Sequence, residues 1–149
     1  MPPRTDPQLS LAVRPPRTAQ PSRNRVYYVP PVLPRASQLS RNTLDCVVDL
    51  RYAVGEKQVL DVFRCGDATA PTLIWIHGGY WQRGDKSIYS FLATAFVKAG
   101  ANVVVVGYDL CPSVTMTRIS EELRAALTYI WHEAPKLGIN GNRITVMRH

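Results

Sequence analysis

Segments typical of strands alternate with segments typical of helices along this 149-residue chain, and this predicts a three-layer α/β fold. Apolar runs rich in β-branched residues occur at 72–76, 101–107 and 143–147, as expected for strands buried in a sheet. Between them, apolar residues recur at helical spacing over 85–99 and 118–134. The order therefore predicts a sheet covered by helices.

The front of the chain, residues 1–43, holds nine of the twelve prolines. Proline fixes φ and removes a backbone donor, so we expect no helix or central strand there. We interpret residues 1–43 as a Pro/Arg-rich disordered arm and residues 44–149 as the folded domain. A solvated tail is the favoured interpretation. A transit peptide, a nucleic-acid arm and a proline-rich ligand are alternatives.

A β-hairpin is predicted to begin the domain. Within 46–54, apolar and polar residues alternate from Val48 on, and they alternate again over 58–63, with Gly55 and Glu56 at the turn. A loop over 66–71 then leads into the strand at 72–76.

The second half of the domain is predicted to alternate between helices and strands. Asp85 is a candidate N-cap for the first helix, and Gly100 marks its end. The strand at 101–107 is apolar on both faces, which favours a parallel sheet. The second helix spans about 118–134, and it is closed by Pro135, Gly138 and Asn140-Gly141. The strand at 143–147 follows.

Composition excludes several classes of function. No apolar run is long enough for a membrane span, and the N-terminus has no signal-peptide core, so we expect a cytoplasmic protein without membrane contact. Three cysteines suggest reduced thiols, and three scattered histidines suggest no metal site and no cofactor. Seven of the arginines lie within 1–45, so the nearly neutral remainder gives no reason to expect nucleic acid as a partner.

One loop carries the best candidate for chemistry. The strand at 72–76 ends in His77, Gly78 and Gly79. Two glycines let the backbone turn and approach a ligand closely. Free N–H groups at such a turn can form an oxyanion hole for a tetrahedral acyl-transfer intermediate. A plain turn would also fit the two glycines alone.

Residues 45–147 resemble the α/β-hydrolase fold, and within it the arylformamidase (kynurenine formamidase) group and related carboxylesterases. His-Gly-Gly-Tyr-Trp at 77–81 is similar to the HGGxW oxyanion motif of that group, and Asp-Lys follows at 85–86. The segment at 108–115 resembles its YxLxPxVT motif. The segment at 142–146 resembles the strand before the nucleophile.

This resemblance implies roles for the loop residues. The N–H groups of Gly79 and Tyr80 would be oxyanion donors, and Gly78 would shape the loop. Trp81 would lie beside the acyl pocket, and His77 would brace the loop without transferring protons. Tyr80 and Trp81 could instead be ordinary core aromatics. A loop hydrogen bond is the favoured role for Asp109, although it follows a strand where catalytic groups often lie.

The resemblance also implies a catalytic triad, with a serine in Gly-x-Ser-x-Gly followed by an acid and then a histidine. The 149 residues contain no such Gly-x-Ser-x-Gly, and Arg148 stands where its first glycine is expected. Ser90, Ser113 and Ser120 lack the flanking glycines. We therefore expect an α/β-hydrolase-type sheet that is truncated after the strand before the nucleophile. No triad member is in place, and the isolated chain is expected to be inactive.

The expected function is that of an arylformamidase-like serine hydrolase fragment. Full-length relatives would cleave N-formyl-aryl amides, such as N-formylkynurenine in tryptophan catabolism, or carboxylic esters. The alternative is a non-catalytic pseudoenzyme or a split-hydrolase half that acts by binding a partner chain. The apolar strand at 143–147 would then offer an edge for self-association or pairing.

Overall fold

The computed structural model describes residues 29–149. Within this range the chain forms a five-stranded sheet with three α-helices and a short 3-10 helix. In chain order, the elements are α1 (Val32–Thr43), β1 (Cys46–Arg51), β2 (Val59–Phe63), β3 (Thr72–Ile76), the 3-10 helix (Lys86–Ile88), α2 (Phe91–Lys98), β4 (Asn102–Val106), α3 (Met116–Leu137) and β5 (Ile144–Arg148).

The sheet is mixed, and its strand order is β1-β2-β4-β3-β5. Strands β1, β2 and β4 pair antiparallel, whereas β3 pairs parallel with both β4 and β5. The predicted hairpin is confirmed by the β1–β2 pairing. The parallel pairing predicted for the strand at 101–107 is confirmed by the pairing of β4 with β3. On its other edge, β4 pairs antiparallel with β2. The α/β fold class is therefore confirmed.

Helices cover both faces of the inner strands. On one face, α3 packs through Ala126 and Ile130 onto a buried cluster that includes Ile74 and Val104. On the other face, α2 packs through Ala93 onto a second cluster that includes Val103. All five residues of β4 are buried because this strand has a partner on each edge and a helix on each face. Strand β3 is consequently held in the middle of a three-layer core.

Helix α1 contradicts the expectation that no helix forms within residues 1–43. It begins directly after Pro31, and Pro34 lies in its first turn, where the missing N–H has no partner inside a helix. The rest of α1 contains no proline. Its buried hydroxyls bind the next layer: Ser37 Oγ donates to Ile88 O at 2.6 Å, and the hydroxyls of Ser40 and Thr94 share a 2.7 Å hydrogen bond. The expectation for residues 1–28 lies outside the described residues.

The two predicted helices differ from the structure at their ends. The segment after Asp85 is a 3-10 turn, and α2 starts only at Phe91. Helix α3 runs through Pro135 and ends at Gly138, which adopts the left-handed conformation at φ 70°. Proline in the last turn removes only one helical bond, and Ile139 N closes the helix by donating to Ala134 O at 3.1 Å. No helix among residues 29–149 has the length and hydropathy needed to cross a membrane.

Strand β5 occupies one edge of the described sheet. Its side chains are mostly exposed, and Val146 keeps 47% of its surface accessible. The helices cover the inner strands more completely than they cover this edge.

Candidate functional site

The glycine loop starts where β3 ends, and the His77 side chain is buried at its root. The ring stacks on Tyr108 with 4.3 Å between ring centroids, and Tyr89 lies on it at 5.7 Å. His77 Nδ1 lies 2.9 Å from Gly78 O, so the neutral ring donates to the loop. The Tyr108 hydroxyl donates to His77 O at 2.5 Å. These contacts tie the start of the loop to the segment that follows β4.

Burial determines the protonation states of His77 and Tyr108. Removal from water lowers the pKa of His77 below its ordinary value of 6.5, although the hydrogen bond to Gly78 and the Asp85 charge oppose the shift. Burial also raises the pKa of Tyr108 to about 12. Both side chains are therefore neutral at physiological pH and act as hydrogen-bonding groups.

The loop backbone has a conformation that few residues can adopt. Gly79 has φ 124°, and a Cβ there would lie 2.0 Å from Arg83 O. Tyr80 and Trp81 follow with φ 56° and 62°, in the left-handed region that is strained for side chains of this size. Gly79 O accepts hydrogen bonds from the N–H groups of Gln82 and Arg83, both at 3.1 Å. These bonds close the turn.

The predicted oxyanion residues lie beside an open cavity. Gly79, Tyr80, Arg148 and His149 line this cavity, whose volume is about 280 Å³. Within residues 29–149, the N–H groups of Gly79 and Tyr80 donate to no other backbone carbonyl. Gly78 lies against the same wall, since a Cβ there would approach His149 Nδ1 to 2.6 Å. The loop thus has two N–H groups without a backbone partner at residues that line this cavity.

The two aromatic residues of the loop have different surroundings. The Tyr80 side chain is 89% exposed, so it is not a core aromatic. Trp81 is partly buried against Tyr108, with ring centroids 5.6 Å apart, and the Arg148 guanidinium lies over its ring at 4.1 Å. Trp81 O accepts from Cys111 N at 2.8 Å. Trp81 therefore connects the glycine loop to the loop after β4.

Asp109 lies in that loop, and it does not line the cavity at Gly79. Its N–H donates to Glu122 Oε2 at 2.9 Å, and its carboxylate accepts from Gln58 Nε2 at 3.5 Å. Burial, together with the nearby Glu122 charge, raises the pKa of Asp109. The structure therefore places Asp109 in loop hydrogen bonds.

Asp85 ends the glycine loop and caps the 3-10 turn. Its carboxylate accepts from Ser87 N at 2.9 Å. Burial acts to raise the pKa of Asp85, but the hydrogen bonds from Ser87 and the charges of Lys57 and Lys86 outweigh it, so the pKa is lowered. Gly84, just before it, sits where a Cβ would come within 2.9 Å of Gly78 O. The two ends of the loop are thus packed against each other.

A buried ion cluster behind the loop was not predicted from the sequence. The Lys86 ammonium lies 2.5 Å from Asp61 Oδ1 and 2.7 Å from Asp49 Oδ1, and the residue is only 5% exposed. A second cavity of about 270 Å³ lies at this cluster and reaches the His77 ring. The one signal in the sequence was Asp61 inside an otherwise apolar strand.

Within residues 29–149, no three histidine, cysteine or acidic side chains are grouped to hold a metal ion. Cys46, Cys65 and Cys111 are free thiols. Ser90 is buried, and its hydroxyl accepts from Arg41 Nε at 3.0 Å.

The mixed sheet and the helices that cover it have the α/β-hydrolase fold. The chain belongs to the BD-FAE family, whose model matches residues 60–149. Kynurenine formamidase of Drosophila melanogaster is 37% identical over 84 residues, which are 55% of this chain and 28% of that protein. Kynurenine formamidase of Danio rerio is 31% identical over 100 residues, which are 66% of this chain and 34% of that protein.

Solved structures give the same fold. A Silicibacter protein described as a thioesterase superposes with a TM-score of 0.70 at 30% identity, covering 80% of this chain and 44% of that one. Esterase B from Lactobacillus rhamnosis superposes with a TM-score of 0.66 at 22% identity, covering 76% and 40%. The resemblance to arylformamidases and carboxylesterases is confirmed. The chain spans about a third of the length of the curated relatives it matches.

The lowered pKa of His77 predicts a loss of stability in acid. The unfolded chain takes up a proton as the pH falls through about 6.5, whereas folded His77 resists it, so the free energy of unfolding falls below that pH and is unaffected above it. Urea unfolding at about pH 7.5 and pH 5.5 measures this difference. His77→Phe is expected to reduce it, and His132→Gln, at an exposed position, is the matched control. An equal pH dependence in wild type and His77→Phe would contradict the assignment.

Proposed function

We propose that this chain provides the oxyanion-binding loop of a hydrolase that cleaves N-formyl-aryl amides or carboxylic esters. The observation that carries the proposal is the pair of uncommitted N–H groups at Gly79 and Tyr80 beside the cavity. Relatives named kynurenine formamidase make N-formylkynurenine, and with it tryptophan catabolism, the first substrate and pathway to consider. The solved esterases support the ester alternative.

The loop would act by stabilising charge that develops on the substrate oxygen. Donors that are already in place are effective because they need not reorganise during the reaction. Gly78 gives the loop its close approach. Trp81 would lie beside the acyl pocket, because Arg148, which lines the cavity, packs over its ring. His77 braces the loop and does not shuttle protons, because its Nδ1 proton is committed to Gly78 O and its pKa is lowered. No cofactor or metal takes part in this scheme.

We further propose that the 149-residue polypeptide is inactive by itself. Serine acyl transfer needs a nucleophile with an adjacent base. No Gly-x-Ser-x-Gly occurs in these residues, and Ser90 is already bound to Arg41. The oxyanion loop would then bind a carbonyl or an anion without cleaving it.

Assays of the purified 149-residue chain with N-formylkynurenine and with p-nitrophenyl acetate test this proposal. We expect turnover no faster than that of Gly79→Ala, in which a Cβ would clash with Arg83 O and distort the loop. Turnover by the wild-type chain that Gly79→Ala abolishes would contradict the proposed inactivity.

Strand β5 favours a second candidate function, that of a non-catalytic binding half. In the described sheet β5 is paired only with β3, and the exposed Val146 and Met147 lie along it. Exposed apolar edges recruit further strands. A second copy or a separate partner chain could pair there, as in a pseudoenzyme or a split hydrolase. Free thiols at all three cysteines support a cytoplasmic location for either function.

Light scattering coupled to gel filtration tests whether two copies of the chain pair through β5. We expect self-association that increases with protein concentration, and we expect Val146→Lys to reduce it because a charge blocks strand addition. Leu39→Lys places the same charge on an exposed position of α1 and serves as the control. A monodisperse monomer at all concentrations would contradict pairing between copies.

A further inference from the structure

Lys86 is a buried cation directly behind the glycine loop. Its ammonium contacts Asp61, which is fully buried, and Asp49, whose side chain is mostly exposed. Burying a charge without a partner is unfavourable, so the lysine and Asp61 depend on each other for their place in the core.

The ion pair joins two parts of the fold that share no strand pairing. Lys86 is the first residue of the 3-10 turn at the exit of the glycine loop. Asp61 lies in β2, and Asp49 lies at the irregularity of β1, where its own N–H donates to Asp61 Oδ1 at 2.9 Å. The pair therefore anchors the exit of the loop to the antiparallel side of the sheet, whereas β3 anchors its entrance on the parallel side.

Helix α1 holds the same segment from another direction. Arg41 donates to Ser87 O and, at 3.0 Å, to Ser90 Oγ. Its Nε also lies 4.0 Å from Asp61 Oδ2, a buried atom for which residues 29–149 supply no hydrogen-bond donor. Asp61 thus lies between Lys86, which is part of the exit of the loop, and Arg41, which binds that exit.

The loop needs anchors of this kind. Tyr80 and Trp81 both have positive φ, and strained backbone persists only when its surroundings determine it. The turn bonds to Gly79 O are local and do not fix where the exit of the loop lies. We propose that Lys86, through its ion pair with Asp61, is a positioning residue that holds the loop in the oxyanion-donor conformation. The functional meaning of that position rests on the function proposed above.

A merely structural role would have a different signature. A pair that only stabilises the fold would, when removed, loosen every part of the domain to the same extent. A positioning pair loosens the loop more than the sheet. Amide hydrogen exchange separates the two, because local opening and global unfolding expose different sets of amides.

The test compares Lys86→Met with wild type in the 149-residue chain by NMR-detected exchange. The reporter amides are Gln82 and Arg83, which donate to Gly79 O, and Cys111, which donates to Trp81 O. Val104, at the centre of the sheet, reports on global unfolding. We expect exchange at the reporters to accelerate about tenfold more than exchange at Val104. Lys98→Met, at an exposed lysine of α2, should change neither.

A milder variant keeps the test decisive if Lys86→Met does not fold. Asp49→Asn removes one of the two carboxylates at Lys86 and keeps a side chain that tolerates positive φ. This variant should accelerate amide exchange at the reporters about two- to threefold and leave the exchange rate of Val104 unchanged. Equal acceleration at the reporters and Val104, or none at the reporters, would overturn the proposal. Because no ligand or turnover is measured, a failure of oxyanion binding would overturn the proposed function and leave this proposal intact.

Discussion

The conformation of the glycine loop depends on having both of its ends fixed in buried surroundings. At its entrance, β3 is held between β4 and β5, and His77 is stacked under Tyr108. At its exit, Lys86 is held by Asp61. Between these points the chain passes through three consecutive residues with positive φ, two of which are not glycine. Such a path is unfavourable for a free loop, and here the flanking core maintains it.

The physical link from sequence to site is the covered sheet. Strand β4 is apolar on both faces because helices lie on both sides, and this places its partner β3 in the interior. A buried strand that ends in glycine can bring backbone N–H groups to a ligand without a side chain in the way. The same burial lowers the pKa of His77 and keeps it a neutral hydrogen-bond donor. The burial that stabilises the sheet therefore also positions the glycine loop.

Local patterns were sufficient to predict much of this fold. Alternation predicted the hairpin, and apolar runs predicted β3 and β4. The loop motif singled out Gly79 and Tyr80 as oxyanion donors, and in the structure both residues line a cavity. Helix α1 was missed because the proline count over 1–43 concealed a proline-free stretch from residue 35 onward. The pair of Lys86 with Asp61 was missed because its members are 25 residues apart and meet only through the strand order. The spacing of these residues in the sequence does not predict such a contact.

The proposed activity depends on an oxyanion site formed by the N–H groups of Gly79 and Tyr80. The most direct measurement is an NMR titration of the 149-residue chain with methylphosphonate, following the backbone amides. We expect saturable shifts at Gly79 and Tyr80, smaller shifts at Gln82 and Arg83, whose N–H groups are bound to Gly79 O, and loss of the effect in Gly79→Ala. Shifts confined to arginine-rich segments, with none at Gly79 or Tyr80, would contradict it.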